Sequence, residues 1–438
     1  MHPTRVIVIG YLIMITIGTF ALTLPLASAS GISESFLTAL FTTVSAVCVT
    51  GLTLVDTGTY WTTFGQWTIL ALIQIGGFGI MTASTLLGLM INRSLSLKTR
   101  MVAQTETHTT GAGDLKSVVK LVLFITIAIE LIITVALFLS FWLTWEQTPR
   151  VALWNGFFHS ISAFNNAGFS LFENNLMLFS SDLGVLLPIM IGVVIGGIGF
   201  PVLFDLKRSR WPRAQLSLHS KLTLWGTAIL LISGSLLFLL FEWNNPATFG
   251  AMSIPDKILS AVFASVSTRT AGFNSVDVGA FTHETWSIHF LLMFVGGGSA
   301  GTAGGVKVGT FFILLLLVWA EVRGRPDTEL FGRRIATAVQ REAITVLVLG
   351  SSVVSIATII LLATTRFPTD QIIFEVISAF GTVGLSTGIT ADLPPVAQYT
   401  LIVLMFIGRV GTITMAAALA TSSRRMPYRY PEERPIVG

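Results

Sequence analysis

The sequence predicts an all-α polytopic membrane protein built from four tandem repeats. The prediction rests on composition, on eight apolar runs and on a glycine motif that occurs four times. Of the 438 residues, 53% are hydrophobic and only 11% are Asp, Glu, Lys or Arg, and the mean hydropathy is +0.79. An average soluble protein is about 25% charged. A chain this apolar must expose side chains to lipid, which excludes a water-soluble enzyme.

Each of the eight apolar runs is long enough to form a helix that crosses a bilayer. In order, they cover residues 6–26, 67–91, 118–145, 183–204, 222–241, 286–318, 344–363 and 396–420. The lead before the first run is too weak for a cleaved targeting peptide, so this run is expected to remain as a helix. Between the members of successive pairs lie segments too short or too polar to span the membrane: 34–56, 150–173, 256–277 and 370–392.

The distribution of charge predicts the orientation. Most Lys and Arg residues lie at the two termini and in three connections, 93–116, 207–221 and 323–341. With eight crossings all of these fall on one side, which the positive-inside rule makes the cytoplasm. The net charge of +4 therefore reflects topology, and no nucleic-acid partner is expected. The half-buried segments on the opposite side are rich in Asp and Glu, which would steer cations towards them.

The half-buried segments carry the repeated motif. Segments 46–52, 163–169, 267–273 and 379–385 align without a gap, and each has a small residue, four intervening residues, a Gly and then Leu or Phe. The glycines are about a quarter of the chain apart, so four copies of one unit are expected. The predicted repeats are 1–92, 93–206, 207–320 and 321–423, followed by a cytoplasmic tail at 424–438.

A helix-compatible stretch precedes each glycine, such as 36–47, and it is too short to cross. It must enter the membrane and turn back, and irregular backbone at that depth is tolerated only in protein or along a water-filled cavity. A glycine there can turn backbone carbonyls inward to replace the water around a cation. The predicted filter residues are Val49, Thr50, Gly51, Asn166, Ala167, Gly168, Thr270, Ala271, Gly272, Thr382, Val383 and Gly384.

These four single-glycine segments resemble those of the Trk/Ktr/HKT superfamily of potassium transporters, over nearly the whole chain, and are most similar to its bacterial KtrB-type members. The resemblance implies pseudo-fourfold symmetry around one central pore and potassium uptake across the bacterial plasma membrane. It also implies no cofactor, potassium as the substrate and sodium as a candidate activator. Glycine at all four filter positions, Gly51 included, favours potassium. The partners implied are a second copy of the chain and a cytoplasmic nucleotide-binding ring of the KtrA type.

One apolar run contains a stretch that a spanning helix would disfavour, because each Gly costs about 1 kcal/mol. It consists of Gly296, Gly297, Gly298, Ser299, Ala300, Gly301, Thr302, Ala303, Gly304 and Gly305. We expect a loop across the pore beneath the filter, similar to the intramembrane gating loop of the superfamily. The stretch also matches a dinucleotide fingerprint, but no βαβ unit surrounds it.

Three basic residues lie close to this predicted pathway. Arg409 falls in the middle of the last run, where a charge costs about 2.5 to 3.5 kcal/mol, so it must be paired or face water. It is either a structural partner of Glu130 or a positive charge beneath the filter that acts as a gate with the loop; the resemblance implies the second role. Arg269 is expected to point away from the axis and brace the loop. Lys307 either contacts the loop or extends towards the cytoplasm.

Two other classes of function remain as alternatives. A coupled secondary carrier for another small solute would bind it at broken helices in the membrane, but it predicts inverted repeats rather than four parallel ones. An intramembrane enzyme would need a pair of acids, or a nucleophile and a base, inside the bilayer, and Glu130 alone supplies neither. The six histidines show no metal-binding spacing. The protein is therefore not expected to be an enzyme.

Overall fold

The computed structural model describes residues 3–93, 115–209 and 216–411, and this part of the chain is almost entirely helical. Its strands are Glu329–Leu330 and Arg333–Arg334, which pair antiparallel in a cytoplasm-side connection predicted from charge. Residues 94–114 of the predicted connection 93–116 and the whole predicted tail at 424–438 lie outside the described residues. The all-α class predicted from the sequence is confirmed.

Each repeat contains a first long helix, a short helix and a second long helix. The first long helices are Pro3–Thr23, Leu115–Leu143, Leu218–Glu242 and Thr337–Thr364. The short helices are Phe36–Val47, Pro149–Phe164, Ile254–Ser267 and Thr369–Gly381. The second long helices are Thr63–Arg93, Leu183–Ile198 with Phe200–Ser209, His283–Phe294 with Val308–Val322, and Pro395–Val410. Single turns at Thr57–Tyr60, Met177–Phe179, Val278–Ala280 and Thr390–Asp392 complete the described helices.

The short helices have defined beginnings and ends. The Ser35 side chain accepts a hydrogen bond from the Thr38 amide at 3.1 Å, and Pro149 occupies the first turn of the second short helix. Each helix ends one to three residues before a residue with positive φ, such as Val49 at +55°, a conformation that cannot continue a right-handed helix. The short helices are largely buried, so they are held by tertiary packing.

The hydrophobic core lies at the seams between repeats. One cluster joins repeats 1, 2 and 4 and includes Phe41 and Phe380; a second joins repeats 3 and 4; and a third joins repeats 2 and 3. In contrast, the first long helices expose large apolar side chains on their outer faces, for example Ile132 at 69%. Three of these helices are long and apolar enough to span a membrane: Lys120–Leu143, Leu218–Glu242 and Thr337–Thr364. The chain is a multi-pass membrane protein.

The structure corrects the expectation that 183–204 forms one uninterrupted crossing. The helix ends at Ile198, resumes at Phe200, and turns by 95° between the two halves. Gly199 has φ +97°, and a Cβ there would overlap the carbonyl oxygen of Ser299. Only glycine suits this position, because L-residues rarely adopt that conformation and no space exists for a side chain. In repeat 3, residues 295–307 lie between two helical halves, as the glycine-rich stretch predicts.

Candidate functional site

The four motif glycines lie in a closed ring. A Cβ added to any of them would fall within 3.0 Å of the carbonyl oxygen of the residue that precedes the next glycine. These contacts run from Gly51 to Ala167, from Gly168 to Ala271, from Gly272 to Val383, and from Gly384 back to Thr50. The structure therefore brings the four predicted segments together in chain order, with glycine required at each seam. We call Gly51, Gly168, Gly272 and Gly384 the glycine ring.

The backbone alternates in the same way in all four segments. Each ring glycine has a positive φ, between +69° and +94°, and so does the residue two positions earlier. The latter residues are Val49 at +55°, Asn166 at +59°, Thr270 at +67° and Thr382 at +49°. A non-glycine residue with positive φ is uncommon, and such strain clusters at functional sites. Alternation between left- and right-handed backbone places successive peptide groups on one side of the chain.

The amides of these segments point back towards the short helices. The Thr50 amide donates to the Ser45 carbonyl oxygen at 2.7 Å, and the Gly51 amide donates to the Ser45 hydroxyl at 3.0 Å. In repeat 4, the Val383 amide donates to the Ser378 carbonyl oxygen at 2.8 Å in the same manner. These amides are therefore bonded to the short helix of their own repeat rather than to the neighbouring segment.

The sequence analysis missed these serines, although they leave a signal. A serine stands six residues before the ring glycine in repeats 1, 2 and 4, at Ser45, Ser162 and Ser378. Repeat 3 has Val266 at this position, and there the Ala271 amide donates to the Ser267 carbonyl oxygen at 3.0 Å instead. A search for polar residues at a fixed distance from the motif glycine would have found them.

Glycines of the second long helices allow these helices to contact the carbonyl ends of the short helices. A Cβ on Gly76 would overlap the Val47 carbonyl oxygen. The same overlap would occur between Gly196 and Phe164, and between Gly408 and Phe380. In each of these three repeats, the predicted close packing of helices thus occurs where one glycine faces one backbone carbonyl oxygen. The negative ends of the short helices favour a cation near the ring.

The glycine-rich loop, residues 295–307, lies against the filter segments. Its Thr302 hydroxyl oxygen is 3.2 Å from the side-chain amide of Asn166. A Cβ on Gly296 would be 3.3 Å from the Thr270 methyl group, and one on Gly304 would overlap the Thr382 hydroxyl. The loop therefore contacts the residue two before the ring glycine in three of the four repeats. Most of the loop is buried in this position.

Backbone hydrogen bonds join this loop to the break in repeat 2. The Gly298 amide donates to the Gly197 carbonyl oxygen at 2.7 Å, and the Thr302 amide donates to that of Gly196 at 3.1 Å. In return, the Phe200 amide donates to the Ala300 carbonyl oxygen at 3.3 Å. The break satisfies terminal groups that helices leave without intrahelical partners. The loop and the bent helix of repeat 2 form one hydrogen-bonded unit.

Three cationic side chains bind carbonyl oxygens of the loop. Arg409 donates from Nη1 to Thr302 and from Nη2 to Gly76 of repeat 1, at 3.3 Å for the latter. Lys307 Nζ donates to the Ala303 carbonyl oxygen at 2.6 Å, so its side chain contacts the loop rather than extending towards the cytoplasm. Arg269 Nη2 donates to the Gly296 carbonyl oxygen at 2.7 Å. Their positive charges thus lie at the loop beside the filter segments.

The structure contradicts the proposed pairing of Arg409 with Glu130. The Glu130 carboxylate accepts hydrogen bonds from Gln74 Nε2 at 3.3 Å and from Asn165 Nδ2 at 3.2 Å. Asn165 in turn donates to Gln74 Oε1 at 2.8 Å. Glu130 therefore joins repeat 1 to the residue directly before the filter segment of repeat 2. Arg409 is only 3% exposed and is held by backbone carbonyls instead.

Comparisons with known proteins agree along nearly the whole chain. The profile of a family described as TrkH, cation transport protein, matches residues 2–426. The Ktr system potassium uptake protein B of Bacillus subtilis (strain 168) is 41% identical over 436 residues, covering 100% of this chain and 97% of that protein. The potassium/sodium uptake protein NtpJ of Enterococcus hirae is 36% identical over 447 residues, covering 100% and 98%.

Among solved structures, the crystal structure of the potassium transporter TrkH from Vibrio parahaemolyticus superposes with a TM-score of 0.75. It covers 96% of this chain and 85% of that chain, at 20% sequence identity. At this identity the likeness concerns the fold alone.

Proposed function

Because the chain belongs to the TrkH family of cation transport proteins, we propose that it takes up potassium through the glycine ring. The relatives that are 41% and 36% identical carry names that describe uptake of potassium or of potassium and sodium. In our proposal, potassium is the substrate and binds to the backbone carbonyls of residues 49–51, 166–168, 270–272 and 382–384. Sodium is a candidate activator.

The glycine ring is the observation that carries this proposal. Four segments from different parts of the chain meet in cyclic order, and each has the same alternation of φ. With their amides bonded outward, the segments can offer carbonyl oxygens to one ion in place of its water. A carrier built from inverted halves does not call for four equivalent segments in one ring. The geometry therefore favours a pore with a carbonyl filter.

The glycine-rich loop is proposed as the gate, together with Arg409. Its contacts with Asn166 and Thr382 support a position across the pathway on one face of the filter. The guanidinium of Arg409 adds a positive charge there, which opposes the passage of a cation. Opening would require the loop to leave the carbonyls of Gly196 and Gly197, so the bent helix of repeat 2 takes part in gating.

We further propose a homodimer in the bacterial plasma membrane, with both termini in the cytoplasm. The chain is expected to act with a cytoplasmic nucleotide-binding ring of the KtrA type. The first relative named above is described as one protein of a Ktr system, which supports further components. The predicted cytoplasmic connections within this sequence are too short to form a sensing domain themselves.

The proposal is tested by measuring rubidium and sodium uptake into proteoliposomes that contain the purified chain, with and without the cytoplasmic nucleotide-binding partner. Wild type is compared with Gly51→Ser and with the control Gly388→Ser. Both glycines have nearly the same φ, +94° and +96°, but a Cβ on Gly51 would be 2.5 Å from the Ala167 carbonyl oxygen, whereas nothing lies within 4 Å of one on Gly388.

We expect wild type and Gly388→Ser to prefer rubidium and Gly51→Ser to lose this preference, because only Gly51 contacts the next filter segment. A preference that survives in Gly51→Ser would refute the filter assignment and favour the carrier. Uptake that appears only after the cytoplasmic nucleotide-binding partner is added would mean that this partner is needed to open the gate.

A further inference from the structure

Repeat 3 departs from the other three repeats at two positions of the same motif. Three residues before the ring glycine it has Arg269, whereas the other repeats have Cys48, Asn165 and Gly381. Six residues before the glycine it has Val266 in place of serine. The second long helix of this repeat is also the one that contains the glycine-rich loop. Ser267, one residue later, still donates its hydroxyl to the Phe273 carbonyl oxygen, as Ser162 does to Phe169 and Ser378 to Leu385. Arg269 is therefore the departure in repeat 3 that bears on the loop.

Arg269 links filter and loop directly. Its backbone adjoins Thr270, the first residue of the third filter segment, while its Nη2 reaches the Gly296 carbonyl oxygen at 2.7 Å. Gly296 is the point where the two ends of the loop meet, because its amide donates to the Val306 carbonyl oxygen at 2.8 Å. A movement of the loop at this point would change the position of the guanidinium, and hence of the filter backbone that carries it.

The other guanidinium nitrogen adjoins a small cavity. Within the described residues, Arg269 Nη1 and the Thr227 hydroxyl are buried and have no hydrogen-bond partner. Arg269 is 6% exposed, and both residues line the same cavity of about 10 Å³, beside Gly197 and Ile198 at the break in repeat 2. This volume suits one water molecule, which needs two to four polar partners. A buried charged donor left without a partner is costly, so a water here is strongly favoured.

We infer that Arg269 is a positioning residue that couples the glycine-rich loop to the third filter segment, and that the cavity beside it binds a water bridging Arg269 Nη1 to the Thr227 hydroxyl. The inference rests on the proposed function, since it assigns the residue that connects the filter to the gate. Arg269 holds the loop closed through Gly296, and the water fixes the orientation of the guanidinium. The closed loop and the geometry of the third segment therefore depend on the same side chain.

The test uses proteoliposomes that contain the purified full chain without the cytoplasmic nucleotide-binding partner. It measures two quantities: basal rubidium uptake and the ratio of rubidium to sodium uptake. We expect Arg269→Gln to raise basal uptake about 10- to 100-fold, the equivalent of one hydrogen bond to a charged group, and to lower the ratio. Arg269→Lys keeps one charged donor but loses the second guanidinium nitrogen, so it should restore only part of the closure and leave both quantities shifted. Thr227→Val should shift both quantities in the same direction by less.

Thr126→Val is the matched control, because Thr126 is also a buried threonine whose hydroxyl has no partner within the described residues. It lies on the first long helix of repeat 2, and we expect it to behave as wild type. An effect of Thr227→Val no larger than that of Thr126→Val would overturn the water site. Folded Arg269→Gln with unchanged uptake, or with raised uptake and an unchanged ratio, would overturn the coupling.

If Arg269→Gln does not fold, Arg269→Lys decides the coupling: a ratio and a basal uptake both identical to those of Thr126→Val would contradict it, and a shift of both would support it. Gly51→Ser is measured in parallel to separate this inference from the proposed function. A ratio that falls in Gly51→Ser but not in the Arg269 variants leaves the filter intact and removes only the coupling. A ratio that falls in neither removes the filter assignment itself.

Discussion

The ring geometry makes a sharp prediction for Gly168→Ala, with Gly31→Ala as its control. The two glycines have φ of +69° and +70°, so alanine suffers the same backbone strain at both, about 1 to 2 kcal/mol. They differ in their surroundings. A Cβ on Gly168 would be 2.8 Å from the Ala271 carbonyl oxygen and 2.9 Å from the Gly272 Cα, whereas nothing lies within 4 Å of one on Gly31.

The expected difference follows from these distances. Ordinary contact of a Cβ begins at 3.4 Å, so the ring must open by about half an ångström between repeats 2 and 3 in Gly168→Ala. Overpacking of this kind costs about 1 to 3 kcal/mol beyond the backbone strain. Since the displaced atom is a carbonyl oxygen of the proposed filter, we expect the ratio of rubidium to sodium uptake to fall about tenfold, equal to about 1.4 kcal/mol of discrimination.

The assay compares uptake of the two ions in proteoliposomes and thermal unfolding of the purified variants. Gly31→Ala should lose stability but keep the wild-type uptake ratio. An equal fall of the ratio in both variants would mean that backbone strain alone explains the effect. An unchanged ratio in Gly168→Ala would refute the reasoning that this seam sets the spacing of the filter.

Three further predictions concern the loop and the buried carboxylate. Arg409→Ala should raise rubidium uptake in the absence of the cytoplasmic partner, because it frees the Thr302 carbonyl oxygen. Unchanged uptake would contradict the proposed role of Arg409 in the gate. Gly199→Ala should also raise it, whereas Gly388→Ala, at nearly the same φ, should not; equal uptake in the two would remove the bent helix from the gate. Glu130→Ala should lower folding stability by about 1 to 3 kcal/mol, measured by thermal unfolding, with a smaller loss in Glu130→Gln; equal losses would show that the hydrogen bonds do not matter.

The sequence predicted the parts of the site that are repeated. Gly51 and its three counterparts stand at matched positions of the motif. Because each must leave space for a carbonyl oxygen of the next segment, glycine recurs at this position in every repeat. The break after Phe294 was also predictable, because ten small residues in an apolar run are unfavourable for a helix.

The break at Gly199 was not predictable in this way. A single glycine in an apolar run is tolerated in a helix, and its role depends on a contact with Ser299, a hundred residues along the chain. The partners of Glu130 were missed for a similar reason. Gln74 and Asn165 are neutral residues in two other elements, and charge alone pointed to Arg409. Contacts between elements that occur only once leave no periodic signal.

The loop's attachments have a consequence for how such a protein can change in evolution. Arg269 and Arg409 each occur in one repeat only, lie on different elements and bind one loop, which also contains Lys307. In an assembly of four identical subunits, every residue is present four times. A loop that occupies the centre of such an assembly would also be present four times, and the four loops would compete for the same space. Covalent fusion of the four units removes this constraint. Under the proposed function, mutations can then specialise one unit for closure while the other three keep the geometry proposed to select the ion.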